Sequence, residues 1–144
     1  MSSLELAPTA CETEFADERL VGDWAAALPA MLAETQIPPW CSYAARIGGQ
    51  VVGYGGFKGK PDDTGRVEIS YLTLSPERGR GVATTICSAL VEIAFANGAM
   101  AVLGHTQPSE NASTGVLRRQ KFEFAGEWND PEDGFVWRWV RLAQ

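Results

Sequence analysis

RVEISYLTLSPERGRGVATTICSALVEIAFANG, residues 66–98, is the stretch that decides the fold. From Arg66 to Leu74 the side chains alternate. Val67, Ile69 and Tyr71 fall on one face and Glu68, Ser70 and Leu72 on the other, the period-two pattern of a strand. From Val82 to about Asn97, Ile86, Leu90 and Ile93 recur at helical spacing, and Gly98 is placed to stop the helix. The reading is strand, glycine-containing turn, helix.

The turn, Arg78-Gly79-Arg80-Gly81-Val82-Ala83-Thr84, carries the chemistry. Two glycines let the backbone turn tightly and bring its amides close to a ligand. The first turn of the helix leaves N–H groups without partners, and the helix dipole adds positive potential there. Together they suit a phosphate or pyrophosphate. Arg78 and Arg80 add two positive charges. Taken alone, the same residues also fit a plain strand-to-helix turn with solvated arginines. Two familiar phosphate loops are excluded. A P-loop needs Lys followed by Ser or Thr after its last glycine, and none follows Gly81. A dinucleotide fingerprint needs a third glycine where Thr84 stands and an acidic residue about 20 positions further on, where Gly104 stands.

Toward the N-terminus, Ser42–Ile47 and Val51–Phe57 read as two strands joined by the hairpin turn Gly48-Gly49. The glycines within the second strand point to a bulge or a close backbone approach. Residues 12–34 carry Phe15, Leu20, Trp24, Leu28 and Met31 at helical spacing, interrupted by Pro29, and read as one or two helices. Leu4-Glu5-Leu6 is the candidate for a first strand. Toward the C-terminus, Ala99–Leu103 reads as a short interior strand, Ser109–Gln120 as a helix, and Phe122–Phe124 and Phe135–Val140 as strands either side of the turn-rich residues 129–134. The order predicts a mixed α/β layer structure, a single domain over residues 1–144.

The length of 144 residues suits one domain with a core of its own. Hydrophobic residues make up 45% and aromatics 10%, which argues against disorder. The balance of 12 basic against 18 acidic residues, net −6, opposes sequence-independent binding to nucleic acid, which needs a cationic surplus. Cys11, Cys41 and Cys87 stand far apart with no CxxC, and His105 is the single histidine, so neither a zinc site nor a disulfide framework is expected. No apolar run approaches the ~20 residues of a membrane span. The acidic first residues lack the features of a signal peptide, and a cytoplasmic protein is expected.

Arg78-x-x-Gly81-x-Ala83 resembles the (Q/R)-x-x-G-x-(G/A) motif of the GNAT superfamily of acetyl-CoA-dependent N-acetyltransferases. Val67-Glu68-Ile69-Ser70-Tyr71 resembles the VEIGY strand of one branch, and His105-Thr106, Asn111-Ala112-Ser113, Val116-Leu117 and Phe122 resemble its HT…NxxS…VLxxxGF segment. That branch includes the acetyltransferases of ribosomal-protein N-termini. The similarity covers about residues 42–140. Lys121 stands where the family usually has glycine before the Phe.

The resemblance implies a GNAT fold, a mixed central sheet flanked by helices, with acetyl-CoA as co-substrate and no metal. It implies that Arg78, Gly79, Arg80, Gly81, Val82, Ala83 and Thr84 hold the coenzyme A pyrophosphate. It also implies that backbone at Leu72, Thr73 and Leu74 meets the pantetheine arm and the reacting carbonyl oxygen, and that Asn111 hydrogen-bonds the pantetheine. Several family members place a general base at the strand position of Glu68. A carboxylate shielded by the sheet, with a raised pKa, would serve; otherwise Glu68 is a solvated strand charge. Ser113 is the remaining proton donor for the leaving thiolate, or a helix cap, as Ser109 and Asn111 are candidates to be. His105 reads first as a structural hydrogen bonder and second as a base, and Cys87 as core. Trp24 and Trp40 could line an acceptor pocket.

The function so implied is transfer of acetyl directly to a primary amine, a peptide N-terminus or a small amine. The alternative is a non-catalytic acyl-CoA-binding or sensor domain. Residues 135–140 (FVWRWV) form an alternating apolar strand at the chain end, where a sheet edge would be open to pairing, so a homodimer through that strand is expected. Its aromatics would otherwise complete the core.

Overall fold

Gly48 and Gly49, at φ 59° and 82°, turn strand β2 (Ser42–Ile47) back onto β3 (Gln50–Phe57), as the glycine pair predicts. The computed structural model describes residues 4–8, 38–73, 81–131 and 134–143. Within these, β1 (Leu4–Pro8) pairs antiparallel with β2, and β3 with β4 (Arg66–Thr73). Helix α1 (Val82–Ala96) then leads to β5 (Ala101–Thr106), which runs parallel to β4. Helix α2 (Ala112–Arg119) leads into the hairpin of β6 (Glu123–Asp130) and β7 (Gly134–Leu142). The sheet order is β1-β2-β3-β4-β5-β7-β6. This is the expected mixed sheet, and the strand at Leu4 is real. The helices expected over residues 12–34, and Trp24 with them, lie outside the described residues.

The glycines of β3 mark both an irregularity and a close approach: the register with β2 shifts at Val52, Ala45 facing Gly53 and Arg46 facing Val51. A Cβ at Gly53 would sit 2.8 Å from Ile86 Cδ1, and one at Gly55 2.7 Å from Ile86 Cγ2. Their absence lets α1 lie directly on β3, with Ile86 and Leu90 fully buried between helix and sheet. Helix α2 packs on the same face through Leu117, which touches Gly104 of β5. Lys121, after α2, takes φ 65°, the left-handed conformation that the missing glycine would supply. The turn is kept, and Phe122 is still buried behind it.

Two strands run well past their expected ends. β5 runs on to Thr106, and β6 continues through Asp130, where the composition suggests a turn. Cross-strand pairing with β7, and a register shift between Phe124 and Gly126, outweigh weak local strand propensity there.

A third difference concerns the last strand. β7 is not at the edge; it lies between β5 and β6. Its indole at Trp139 is 1% exposed and donates from Nε1 to Thr106 Oγ1 at 3.0 Å. Trp137 and Trp139 therefore serve the core while Phe135 stays 66% exposed, and the sheet edge on that side is β6.

The parallel pair is short. β4 and β5 share three residue pairs, Arg66–Ala101, Val67–Val102 and Glu68–Leu103. Beyond Glu68 the two strands part, β4 staying with β3 and β5 with β7. The sheet forks there.

Candidate active site

The fork exposes backbone. Lys58 N–H donates to the Glu68 carbonyl at 2.9 Å on the β3 side, and strand backbone groups alternate in direction. Ser70 and Leu72 therefore also turn their backbone toward β3, while Ile69, Tyr71 and Thr73 turn theirs into the opening. Of the expected backbone residues, Thr73 faces the fork and Leu72 does not; Leu74 lies outside the described residues. Thr73 Oγ1 is buried with no hydrogen-bond partner among the described residues.

Helix α1 starts in the connection that follows β4, at the fork's mouth. Its N-cap is Gly81, at φ 74°, with no side-chain cap and no acidic residue in the first turn. A Cβ at Gly81 would meet nothing within 4 Å. The N–H groups of Val82, Ala83 and Thr84 begin a helix with no side-chain cap, which fits an anion. Arg78, Gly79 and Arg80 lie outside the described residues.

Helix α2 starts just after β5. Asn111 is its N-cap in a reciprocal capping box: Thr114 N–H donates to Asn111 Oδ1 at 3.1 Å, and Asn111 N–H to Thr114 Oγ1 at 3.0 Å. Ser113 is exposed in the first turn. Both sit at the same end of the sheet as Gly81, the carboxyl ends of the parallel strands, where open α/β sheets bind ligands.

Glu68 stands at the base of the fork, on the sheet face opposite α1 and α2. Its Oε2 lies 3.0 Å from Lys58 Nζ and 3.1 Å from His105 Nδ1, and its side chain is 21% exposed. The His105 contact is short but off the line of a well-aligned hydrogen bond. On its other side the ring accepts at Nε2 from Arg138 Nε at 3.0 Å. The Arg138 guanidinium in turn stacks 3.7 Å over the Trp128 ring. One row of side chains thus crosses β4, β5, β7 and β6.

The carboxyl pKa does not move as expected. Burial pushes Glu68 up, but the His105 contact and the Lys58 ammonium outweigh it and hold Glu68 below the ordinary carboxylate value. His105, a secondary candidate by sequence, is brought directly to Glu68. Lys58 was legible in principle, since the hairpin register that pairs Phe57 with Ile69 sets it opposite Glu68. Arg138 and Trp128 reach the row only through the pairing of β5 with β7 and β7 with β6, and no local motif marks them.

Cys87 is buried on α1, its thiol pushed up to about 12 by burial, as befits a core residue. Trp40 packs edge-on against Phe57 at 5.1 Å. Among the described residues, no group of three or more His, Cys, Asp or Glu is placed to hold a metal, and no helix is long and apolar enough to cross a membrane.

A sheet forked between parallel strands, with an uncapped helix start at its mouth, defines a class of acyl-transfer proteins that seat a cofactor arm in the fork. The profile of the Acetyltransferase (GNAT) family matches residues 8–122, and the chain belongs to that family. It is 30% identical over 103 residues to L-methionine sulfoximine/L-methionine sulfone acetyltransferases of Pseudomonas aeruginosa and Pseudomonas paraeruginosa. The match covers 69% of this chain and 59% of those relatives' length. Among solved structures, the aminoglycoside acetyltransferase AAC(6')-Ib in complex with coenzyme A and kanamycin superposes with TM-score 0.65 at 24% identity, over 72% of this chain and 66% of that one. RimL, a ribosomal L7/L12 alpha-N-protein acetyltransferase in complex with coenzyme A, superposes with TM-score 0.63 at 19% identity, over 70% and 60%. These two likenesses show the fold.

Proposed function

We infer that the chain moves an acetyl group from acetyl-CoA directly to a primary amine, with no covalent enzyme intermediate. The observation that carries this reading is Glu68, an ionised carboxylate at the base of a fork whose mouth is the bare start of α1. The pyrophosphate sits on the Gly81–Thr84 amides, with Gly79 and the Arg78 and Arg80 side chains completing the loop. The amide-bearing arm of the cofactor pairs with the backbone that Tyr71 and Thr73 turn into the opening. Asn111 keeps its Oδ1 for the helix and offers its amide N–H₂ to the arm.

An alkylammonium cannot attack a thioester. The Glu68 carboxylate draws the acceptor ammonium in and takes one proton from it, which frees the nitrogen lone pair; the neutral amine then attacks, and the nitrogen loses a second proton once the new C–N bond has made it acidic. A carboxyl held low keeps the first proton only briefly, so attack follows directly on its removal. The Thr73 amide stabilises the oxyanion, and Ser113 protonates the departing thiolate. The acceptor is a small amine or a peptide N-terminus; the curated relatives, named for amino-acid derivatives, support the first. Free, buried Cys41 and Cys87 accord with work in a reducing cytoplasm.

The test is release of coenzyme A thiol from acetyl-CoA across amino-acid derivatives, aminoglycosides and short peptides, beside a thermal shift with acetyl-CoA alone. Turnover with one amine class supports the reading. A thermal shift with no turnover leaves the binding-only alternative, and neither response removes both.

A further inference from the structure

We propose that Arg138 is a positioning residue: by donating to His105 Nε2 it forces the ring proton onto Nδ1, where it faces Glu68. Arg138 Nε always carries its proton, so the ring atom it meets at 3.0 Å must be a bare acceptor. The one proton of the neutral ring then belongs to Nδ1, 3.1 Å from Glu68 Oε2. Imidazole left to itself in water prefers the opposite form, with the proton on Nε2. In that form the Nδ1 lone pair would lie 3.1 Å from the carboxylate oxygen and push it away. Arg138 is itself fixed, its guanidinium stacked 3.7 Å over Trp128, and His105 is 10% exposed, so water does not compete freely for either nitrogen. A residue two strands from Glu68 thus sets which way the Glu68 carboxylate is held. The activity arm of this inference rests on Glu68 as the proton acceptor; the tautomer does not.

His105 is the single histidine of the chain, so nitrogen-15 labelling of histidine gives one pair of ring signals with nothing to assign. A protonated and a bare ring nitrogen resonate far apart, and couplings to the ring protons tell Nδ1 from Nε2. Two variants divide the effect. Arg138→Gln places an amide nitrogen at the same distance along the side chain as Nε and keeps a donor without the charge. Arg138→Met keeps the length and removes the donor.

The wild type and Arg138→Gln are expected to show the proton on Nδ1, and Arg138→Met on Nε2. Turnover by Arg138→Met should fall at least ~10-fold through kcat, as for other residues that orient a reacting group from behind. Acetyl-CoA affinity should stay unchanged, and Arg138→Gln should recover most of the turnover. A wild-type ring protonated on Nε2 overturns the proposal, whatever Glu68 does. So does an unchanged tautomer in Arg138→Met, or a loss of turnover equal in both variants. If the tautomer switches as expected but Glu68→Gln turns over normally, the positioning stands and the assignment of the base fails.

Discussion

Glu68 carries one charge between two partners that both favour it, and this fixes how it should respond to substitution and to pH. Glu68→Gln removes the proton acceptor and leaves the shape. Turnover of the true acceptor near pH 7 should drop by about 10²–10⁴, with acetyl-CoA affinity kept, and the deficit should shrink as pH rises and more acceptor is free amine. Turnover within a few-fold of wild type would give the proton to another residue or to water. The folded pKa lies below the unfolded one, so the Glu68 ion pair adds stability at neutral pH that is lost as pH falls through the lowered value. Glu68→Gln should therefore flatten the acid limb of a melting-temperature profile; an unchanged slope below pH 5 would mean Lys58 and His105 do not hold the carboxylate in solution. Strand alternation alone put Glu68 on the face opposite Val67, Ile69 and Tyr71, and the structure turns that face away from α1. The sign of its pKa shift was not legible, because it depends on a hairpin neighbour and on a ring delivered by the parallel strand, and neither leaves a local pattern.

At the scale of the element, the start of α1 is the sharpest test. Gly81→Asp adds a carboxylate where the pyrophosphate lies, and also strains a left-handed residue, at roughly 1 kcal/mol. Gly98→Asp is the control: it strains the opposite end of the same helix, at φ 91°, also with open space around a Cβ. Calorimetry should show acetyl-CoA binding weakened well over tenfold, more than ~1.4 kcal/mol, by the first and not the second. Equal losses would place the cofactor elsewhere. After α2, Lys121→Gly should relieve the strain at φ 65° and stabilise by up to about 1 kcal/mol, raising Tm by about 2–4 °C; a lower Tm would mean the lysine side chain contributes more than its backbone costs. Elements with strong periodicity, β4 and α1 above all, were readable from the sequence because their own side chains form the core. β6 was cut short in the reading, since Glu127, Trp128, Asn129 and Asp130 are strand only by virtue of β7 beside them.

For the whole molecule, β6 rather than β7 is where a second copy would pair. It ends the sheet, with Phe124 52% and Trp128 44% exposed. It also carries Glu123, Glu127 and Asp130, which a two-fold pairing of β6 with itself would bring together. Light scattering at micromolar concentration should therefore show a two-chain mass that grows with added salt, as screening weakens the repulsion. A one-chain mass at every ionic strength removes the dimer. From β2 onward the order of elements was legible because each connection is short. The position of the last strand was not: whether a chain end lies inside a sheet or at its rim is settled by pairing over long sequence distance.

The fork has a further consequence. In the described residues, the strands on one side of it, β1 to β4, come from the chain before Gly98, and those on the other, β5 to β7, from the chain after it. The seam in space is also a seam in the sequence. Backbone joins the two sides through three residue pairs and the Met100 and Ala101 N–H groups on the Gly65 carbonyl, and side chains add the Glu68–His105 contact and the packing of α1 against β5 and α2. A molecule divided this way is two pieces clasped around a slot, and whatever fills the slot becomes part of the clasp. Cleaved at the exposed turn of Gly98, the chain would leave two fragments whose reassembly a ligand in the slot promotes, so that the protein reports its own substrate by coming back together.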